Sequence, residues 1–296
     1  MPEAVLPLLR EIGDLKRIGA AGRTGSLAER AFRRAWANLL RGVPADGVAL
    51  ATTAGCLAAT RLAELDRASL DGLGVPAGDA VGMQRAAVGE CTSHLDAALT
   101  KRLLAACEDL PAFDGGGVVP AFVDALATQP RAGATCPGKP RLVLLPAENH
   151  AEHCLVVAVY AVLLAEPGTD LGTVFVAALS HHLHNAAMPD AGFTGEMLLG
   201  PHLGPVMERA TESALAQLPD GLRPDVVAAR RILPEAETPE GRAFHSGDVV
   251  DRVLEMEQHV RRARVTLDDV LGDMALVHDG PLKPYHDAVL TRMGLA

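Results

Sequence analysis

Histidines are concentrated in the second half of the chain. Of the 11 histidines, only His94 precedes His150. Neutral imidazole is the commonest side-chain ligand of transition metals in proteins, and it also transfers protons near neutral pH. The uneven distribution therefore points to metal chemistry, or to acid–base chemistry, in the C-terminal half.

Two apolar segments each carry imidazoles at one end. His150 and His153 are three residues apart at the start of the first segment, so they share one face of a helix. The second segment ends in His181, His182 and His184. If the two helices are antiparallel, the start of the first lies beside the end of the second. His153 and His181 are then expected to meet, as ligands do in metal sites between helices.

A carboxylate in a later helix is the expected third ligand. Asp248 lies among apolar residues, and a carboxylate on a largely apolar helix needs a partner. Asp251, one turn further on, is the alternative. His182 is either a fourth ligand or a neighbour that lines the pocket, because adjacent helical residues point about 100° apart.

The order of these residues resembles that of HD-domain proteins. The family pattern is a histidine at the start of an apolar helix, Ala-Ala-Leu-x-His-Asp at the end of the next, and a late aspartate. Here it reads His153, then 177–182, then Asp248, with a 28-residue interval from His153 to His181 that looks normal for the family. The resemblance covers roughly Pro146 to the C-terminus. It implies a helical bundle that binds a divalent transition metal (Mn, Fe, Co, Ni or Zn).

The chain departs from the family pattern at two positions. His182 stands where the family's signature aspartate bridges two metal ions, and a neutral imidazole binds one ion through one nitrogen. Asn185 stands where some family nucleotidases carry a catalytic glutamate. Three outcomes stay open: a mononuclear site that includes His182, a carboxylate recruited from elsewhere such as Asp190 or Glu196, or an inactive site.

The resemblance implies a metal-dependent hydrolase that attacks a small phosphate ester with a metal-activated water. His184 or His150 would then serve as general acid or base. One alternative is an iron-dependent oxygenase of the HD type. Another is a non-catalytic sensor or interaction protein that has kept the fold.

Glycine and proline divide the sequence into segments of helical spacing, which predicts an all-α fold. Residues 1–128 form an Ala-rich helical region. Residues 129–146, rich in proline, are read as a linker with room for one short strand. Residues 147–296 form the HD-like metal-binding domain. Predicted helices include 79–107 as one helix or two, 171–187, 194–218 and 239–264.

The composition of the chain restricts the kinds of partner that the protein can bind. The chain has 49% hydrophobic and 22% charged residues, which is typical of a folded protein, and its net charge of −10 disfavours nucleic acid. The basic cluster of Arg261, Arg262 and Arg264 fits a helix C-terminus. The longest apolar run, 154–165, is too short to span a membrane.

These features predict a small-molecule substrate, no nucleic-acid or membrane partner and a cytoplasmic location, and they leave a homo-oligomer open. The five cysteines form no CxxC pair, and four of them are expected to be buried thiols. Cys136 is the exception, in a loop.

Overall fold

We describe the fold from a computed structural model, which describes residues 2–109, 118–260 and 266–295. The basic cluster at 261, 262 and 264 lies outside the described residues. The helices before residue 129 are α1 (Pro2–Gly13), α2 (Leu27–Leu40), α3 (Ala45–Leu62), α4 (Arg67–Gly72), α5 (Ala77–Cys91), α6 (Ala97–Ala106) and α7 (Ala121–Thr128).

The later helices are α8 (His150–Leu164), α9 (Leu171–Ser180), α10 (Gly192–Leu199), α11 (Leu203–Leu215), α12 (Arg223–Ala229), α13 (Pro239–Val260) and α14 (Lys283–Arg292). Short 3-10 turns connect several of them, and Asp269–Asp273 forms one π-helical turn. The described residues contain no strand, only isolated bridges at Pro130–Asn149 and Ala134–Leu142. The predicted all-α class is confirmed.

Two predicted helices end early for local reasons. The segment 171–187 leaves the helix after Ser180, where the His181 side chain donates to the Ala178 carbonyl, the acceptor that residue 182 would use in a continued helix. The segment 194–218 breaks into α10 and α11 around Gly200, which has a positive φ of 51°, and Pro201. The range 79–107 is two helices.

Helix α8 is the centre of the molecule. It is apolar on all sides, and every residue from His150 to Leu163 is buried, as expected for a helix surrounded by others. Helices α9 and α13 pack against it from the C-terminal half, and α2 and α3 pack against it from the N-terminal half. A single hydrophobic cluster therefore extends from Val5 to Leu295.

The contact between α13 and α8 is close at Gly247. A Cβ atom there would lie 2.8 Å from the Val157 carbonyl oxygen and 2.9 Å from the Ala161 nitrogen. The absence of a side chain lets the two backbones approach at the position next to Asp248.

Residues 129–146 lie against the start of α8 and the loop before α10. The Ala132 nitrogen donates to Asp190, and Arg141 donates to the carbonyl oxygens of Ala132 and Ala191. The division of the chain into 1–128, 129–146 and 147–296 stays a prediction.

The described cysteines match the expectation: Cys56, Cys91, Cys107 and Cys154 are buried, and Cys136 is partly exposed. Among the described helices, none is both long enough and apolar enough to cross a membrane.

Candidate metal centre

Two imidazoles and a carboxylate converge where α8, α9 and α13 meet. His153 Nε2 and His181 Nε2 are 3.2 Å apart. Asp248 Oδ1 lies 3.4 Å from His153 Nε2 and 3.9 Å from His181 Nε2. His153 is fully buried, and the other two side chains are 9% and 17% exposed.

The hydrogen bonds of the ring nitrogens show which atoms are free to bind a cation. His181 Nδ1 lies 2.6 Å from the Ala178 carbonyl oxygen, which can only accept, so this nitrogen carries the proton. His153 Nδ1 lies 2.7 Å from a carboxylate oxygen of Asp251 and donates in the same way. When both rings are neutral, these Nδ1 protons leave a lone pair on each Nε2 atom, and the two Nε2 atoms face each other.

This arrangement fits a metal ion. Two ligand atoms, each about 2.1 Å from one ion, lie about 3.0 to 3.4 Å apart at octahedral or tetrahedral angles. The 3.2 Å and 3.4 Å separations match, and the 3.9 Å separation is slightly longer. With both rings neutral and no cation present, two lone pairs and a carboxylate would repel at these distances. The cluster could therefore hold a metal ion.

His182 belongs to the same cluster. One of its ring nitrogens lies within 4.8 Å of ligand nitrogens of His153 and His181. Its Nδ1 donates to Asn185 Oδ1 at 2.8 Å, while the Asn185 amide group donates to the Met188 carbonyl. Nε2 of His182 is thus left as the unprotonated nitrogen. The two residues that depart from the HD pattern are therefore bonded to each other.

Burial keeps the two half-buried imidazoles neutral. It lowers the pKa of His181 to about 3, assisted by the neighbouring His153, and it lowers the pKa of His182 well below its usual value. Burial alone would raise the pKa of Asp248. Its contact with His153 and the charge of Arg252 nevertheless hold that pKa well below the ordinary range. His181 and His182 thus present neutral nitrogens and Asp248 presents an ionised carboxylate, which are the forms that bind metals.

Asp251, the alternative ligand, occupies a different position. Its carboxylate contacts Nδ1 of His153 on the side away from the cluster, at 2.7 Å, and it also contacts Lys16. A carboxylate on the second nitrogen of a ligand histidine commonly holds the ring in place. Asp248 is thus the aspartate beside the converging nitrogens.

A cavity of about 320 Å³ opens onto the cluster. His181, His182 and Asp248 lie in its wall, together with Arg131 and Arg252. Residues 131–148, the start of α10 and the segment 274–278 supply the opposite wall. The segment read as a linker therefore borders the site.

The two arginines of the cavity wall differ in how they are bonded. Arg131 Nη1 is buried and has no hydrogen-bond partner among the described residues, while Nε is 3.5 Å from Glu148. Arg252 donates through Nη2 to the Leu276 carbonyl, and its Nη1 is 3.9 Å from Asp248. Both can bind an anionic group.

The candidate acid–base residues His150 and His184 lie behind His182, outside the cavity wall. His150 is fully buried, its Nε2 is 3.5 Å from Asp190, and neither ring nitrogen has a hydrogen bond in the described structure. Burial lowers the pKa of His150 to about 2 and that of His184 to about 4. Their catalytic role stays a prediction.

Asp190 and Glu196 both line the cavity, but neither joins the cluster of converging nitrogens. Asp190 accepts from the backbone nitrogens of Ala132 and Gly192. Burial raises the pKa of Glu196, assisted by the charge of Asp190. The pKa of Glu196 is thus shifted in the direction that favours a protonated carboxyl.

A comparison of the chain with protein-family models, curated proteins and solved structures finds no match. The resemblance to HD-domain proteins remains a prediction from the residues quoted above.

Two residues of the site region went unnoticed in the sequence. Lys16 lies in a short turn after α1, and Arg131 lies in the proline-rich segment. Neither sits in a motif, and a lone basic residue in a loop carries no signal for burial. Only the long-range packing places them here.

Proposed function

We propose that the protein is a metal-dependent hydrolase of small anionic esters, with phosphate esters as the first class to test. The observation that carries the proposal is the convergence of His153 Nε2, His181 Nε2 and Asp248 Oδ1 within 3.2–3.9 Å at the wall of a cavity. A bound divalent ion would lower the pKa of water to about 7 and stabilise negative charge on the substrate.

The residues of the cavity support an anionic substrate. The unpartnered Nη1 of Arg131 and the guanidinium of Arg252 would bind its charged oxygens. Two of the acidic residues in the wall, Glu148 and Glu255, are already paired with Lys16. Glu196 would donate a proton to the leaving group, since its raised pKa favours the protonated form.

The organic part of the substrate has an apolar surface to contact. Met256, Met274 and Leu276 line the same cavity, beside the stacked rings of Phe193 and His278, whose centroids are 3.7 Å apart. The volume of about 320 Å³ limits the substrate to a small molecule.

A second candidate is an iron-dependent oxygenase. Two histidines and one carboxylate, here His153, His181 and Asp248, are also the ligand set of mononuclear iron oxygenases. The identity of the bound metal separates the two candidates.

The test is elemental analysis of protein purified without chelator or added metal, followed by titration of the metal-depleted protein. We expect about one Mn, Co, Ni or Zn per chain, phosphatase activity on a panel of esters, and loss of metal in His181→Ala and Asp248→Ala. His202→Ala, at an exposed histidine, is the matched control. Stoichiometric iron with oxygen consumption would favour the second candidate. A chain that neither retains nor binds metal would refute both.

Arg131→Met tests the substrate class separately. The variant should keep its metal, while inorganic phosphate as inhibitor and the ester as substrate should bind about 10-fold more weakly or worse, since a charged hydrogen bond is lost. Unchanged binding of both would exclude Arg131 from substrate recognition.

A further inference from the structure

Lys16 is a buried cation on the far side of His153. Its Nζ lies 2.5 Å from Glu148, 2.8 Å from Asp251 and 3.3 Å from Glu255, and its side chain is 1% exposed. A buried ammonium is stable only when carboxylates surround it in this way. Lys16 thus neutralises part of a buried acidic group that the C-terminal half supplies.

The position of the ammonium resembles that of a bound cation. Ligand atoms of Glu148, His153 and Asp251 lie within 4.8 Å of one another, close enough to hold a metal ion. The Nζ of Lys16 contacts both of these carboxylates. The chain therefore provides its own cation at a place where a second metal could otherwise bind.

A continuous series of contacts connects Lys16 with the candidate metal centre. Lys16 binds Asp251 through Oδ1 at 2.8 Å and Oδ2 at 3.0 Å, and Oδ2 lies 2.7 Å from His153 Nδ1. The opposite nitrogen of His153 faces His181 and Asp248. Holding the carboxylate in place keeps the proton on Nδ1 and directs the Nε2 lone pair into the cluster.

We propose that Lys16 is a positioning residue of the metal centre, and that the N-terminal region therefore completes a site whose ligands all come from the C-terminal half. The inference rests on the proposed metal centre. It assigns the turn after α1 a specific role beyond covering the core.

The experiment compares two variants that each remove one cation of the N-terminal region that pairs with α13. Lys16→Met removes the ammonium beside Asp251. Arg10→Met removes a pair with Glu257, at 2.8 and 2.9 Å, that is not part of the series of contacts from Lys16 through Asp251 to His153. Each metal-depleted protein is titrated with Co²⁺ and followed by its visible absorption, with circular dichroism as the check on folding.

We expect the Kd for Co²⁺ to rise about 10- to 100-fold in Lys16→Met, with an altered cobalt spectrum, and to stay unchanged in Arg10→Met. An unchanged Kd in Lys16→Met would overturn the inference, and so would an equal loss in both variants. A wild-type protein that binds no Co²⁺ would overturn the proposed centre as well.

If Lys16→Met does not fold, Asp251→Asn tests the same inference. It keeps an oxygen that accepts from His153 Nδ1 but loses the charge that Lys16 binds. A folded Asp251→Asn protein should also bind Co²⁺ about 10-fold more weakly or worse. Wild-type affinity in that variant would contradict the series of contacts from Lys16 to His153.

Discussion

The imidazoles of the site differ in what their two nitrogens do. His153, His181 and His182 each donate through Nδ1 to an acceptor of the protein, which leaves Nε2 for a cation. The rings of His150 and His182 are tilted by 50° with their centroids 4.8 Å apart, and neither nitrogen of His150 has a hydrogen-bond partner in the described structure. The first three are arranged as ligands, whereas His150 is a buried neutral ring.

The neutral state of His150 makes the fold sensitive to acid. Its pKa falls from the ordinary 6.5 to about 2 because of burial and the nearby Arg131. Below pH 6.5 this histidine is therefore protonated in the unfolded chain but stays unprotonated in the folded protein. The contribution of this group to stability is present above pH 6.5 and is lost as the pH falls, at a rate that approaches about 1.4 kcal/mol per pH unit well below pH 6.5.

The measurement is urea unfolding of the metal-depleted protein at pH 7.5, 6.5 and 5.5. His150→Leu should reduce the decline between pH 6.5 and 5.5 by about 1 kcal/mol. His202→Leu, at an exposed histidine, should keep the wild-type slope. A His150→Leu protein with the wild-type slope would show that this imidazole is charged in the fold.

At the scale of elements, the site depends on where three helices end or cross. Helix α8 begins and α9 ends at the same side of the core, because a short turn joins them as antiparallel neighbours. Helix α13 crosses α8 at Gly247 and so brings Asp248 to His153. The ligand spacing is therefore sensitive to the packing of α13 on α8.

Gly247→Ala should push α13 away from α8. The added Cβ would lie 2.8 Å from a backbone oxygen, so we expect a loss of about 1 to 3 kcal/mol in stability and weaker Co²⁺ binding. Gly82→Ala in α5 is the matched control, since its Cβ would meet nothing within 4 Å. The stability of that variant should equal that of the wild type or exceed it by up to about 1 kcal/mol. Urea unfolding and Co²⁺ titration measure both, and equal behaviour of the two variants would contradict the close crossing.

The N-cap residues of α8 and α9 allow a comparison of stability with metal binding. Asn149 caps α8 in a capping box with Glu152, at the end that carries His153. Asp170 caps α9 at the end opposite His181. Each alanine substitution should cost about 1 kcal/mol.

Only Asn149→Ala should also weaken metal binding, because only that cap holds the helix turn that carries His153. Thermal unfolding gives the stability of each variant, and cobalt titration gives its affinity. A parallel loss of affinity in Asp170→Ala would mean that metal binding follows overall stability rather than the local cap.

At the scale of the whole molecule, the N-terminal helices and the ligand-bearing helices share one hydrophobic cluster. Trp36, the only tryptophan, is fully buried in the N-terminal region, edge-on to Phe32 and Phe122. The ion pairs of Lys16 and Arg10 with α13 add polar contacts between the two regions. Such an arrangement favours a single cooperative unit.

We therefore expect one unfolding transition. Fluorescence of Trp36, which reports the N-terminal region, should follow the same urea curve as far-UV circular dichroism, which reports all helices. Residues 147–296 expressed alone should lack a cooperative transition, since α8 would expose the face that α2 and α3 cover. Two separate transitions, or a cooperatively folded fragment, would instead support independent domains.

The amino-acid sequence by itself determined the all-α class, most helices and the expectation that His153 and His181 meet. These features depend on local spacing, on glycine and proline, and on apolar segments that end in imidazoles. The sequence did not determine where α9 ends, since the apolar spacing continues past Ser180 while the structure leaves the helix there.

Only the tertiary structure decided which aspartate faces the converging nitrogens and which one supports His153 from behind. Asp248 and Asp251 are one turn apart and look alike in sequence. Their roles depend on how α13 crosses α8 and on a lysine 235 residues away from Asp251. Burial and ion pairing between such distant residues arise from packing of the whole chain, and no local pattern encodes them.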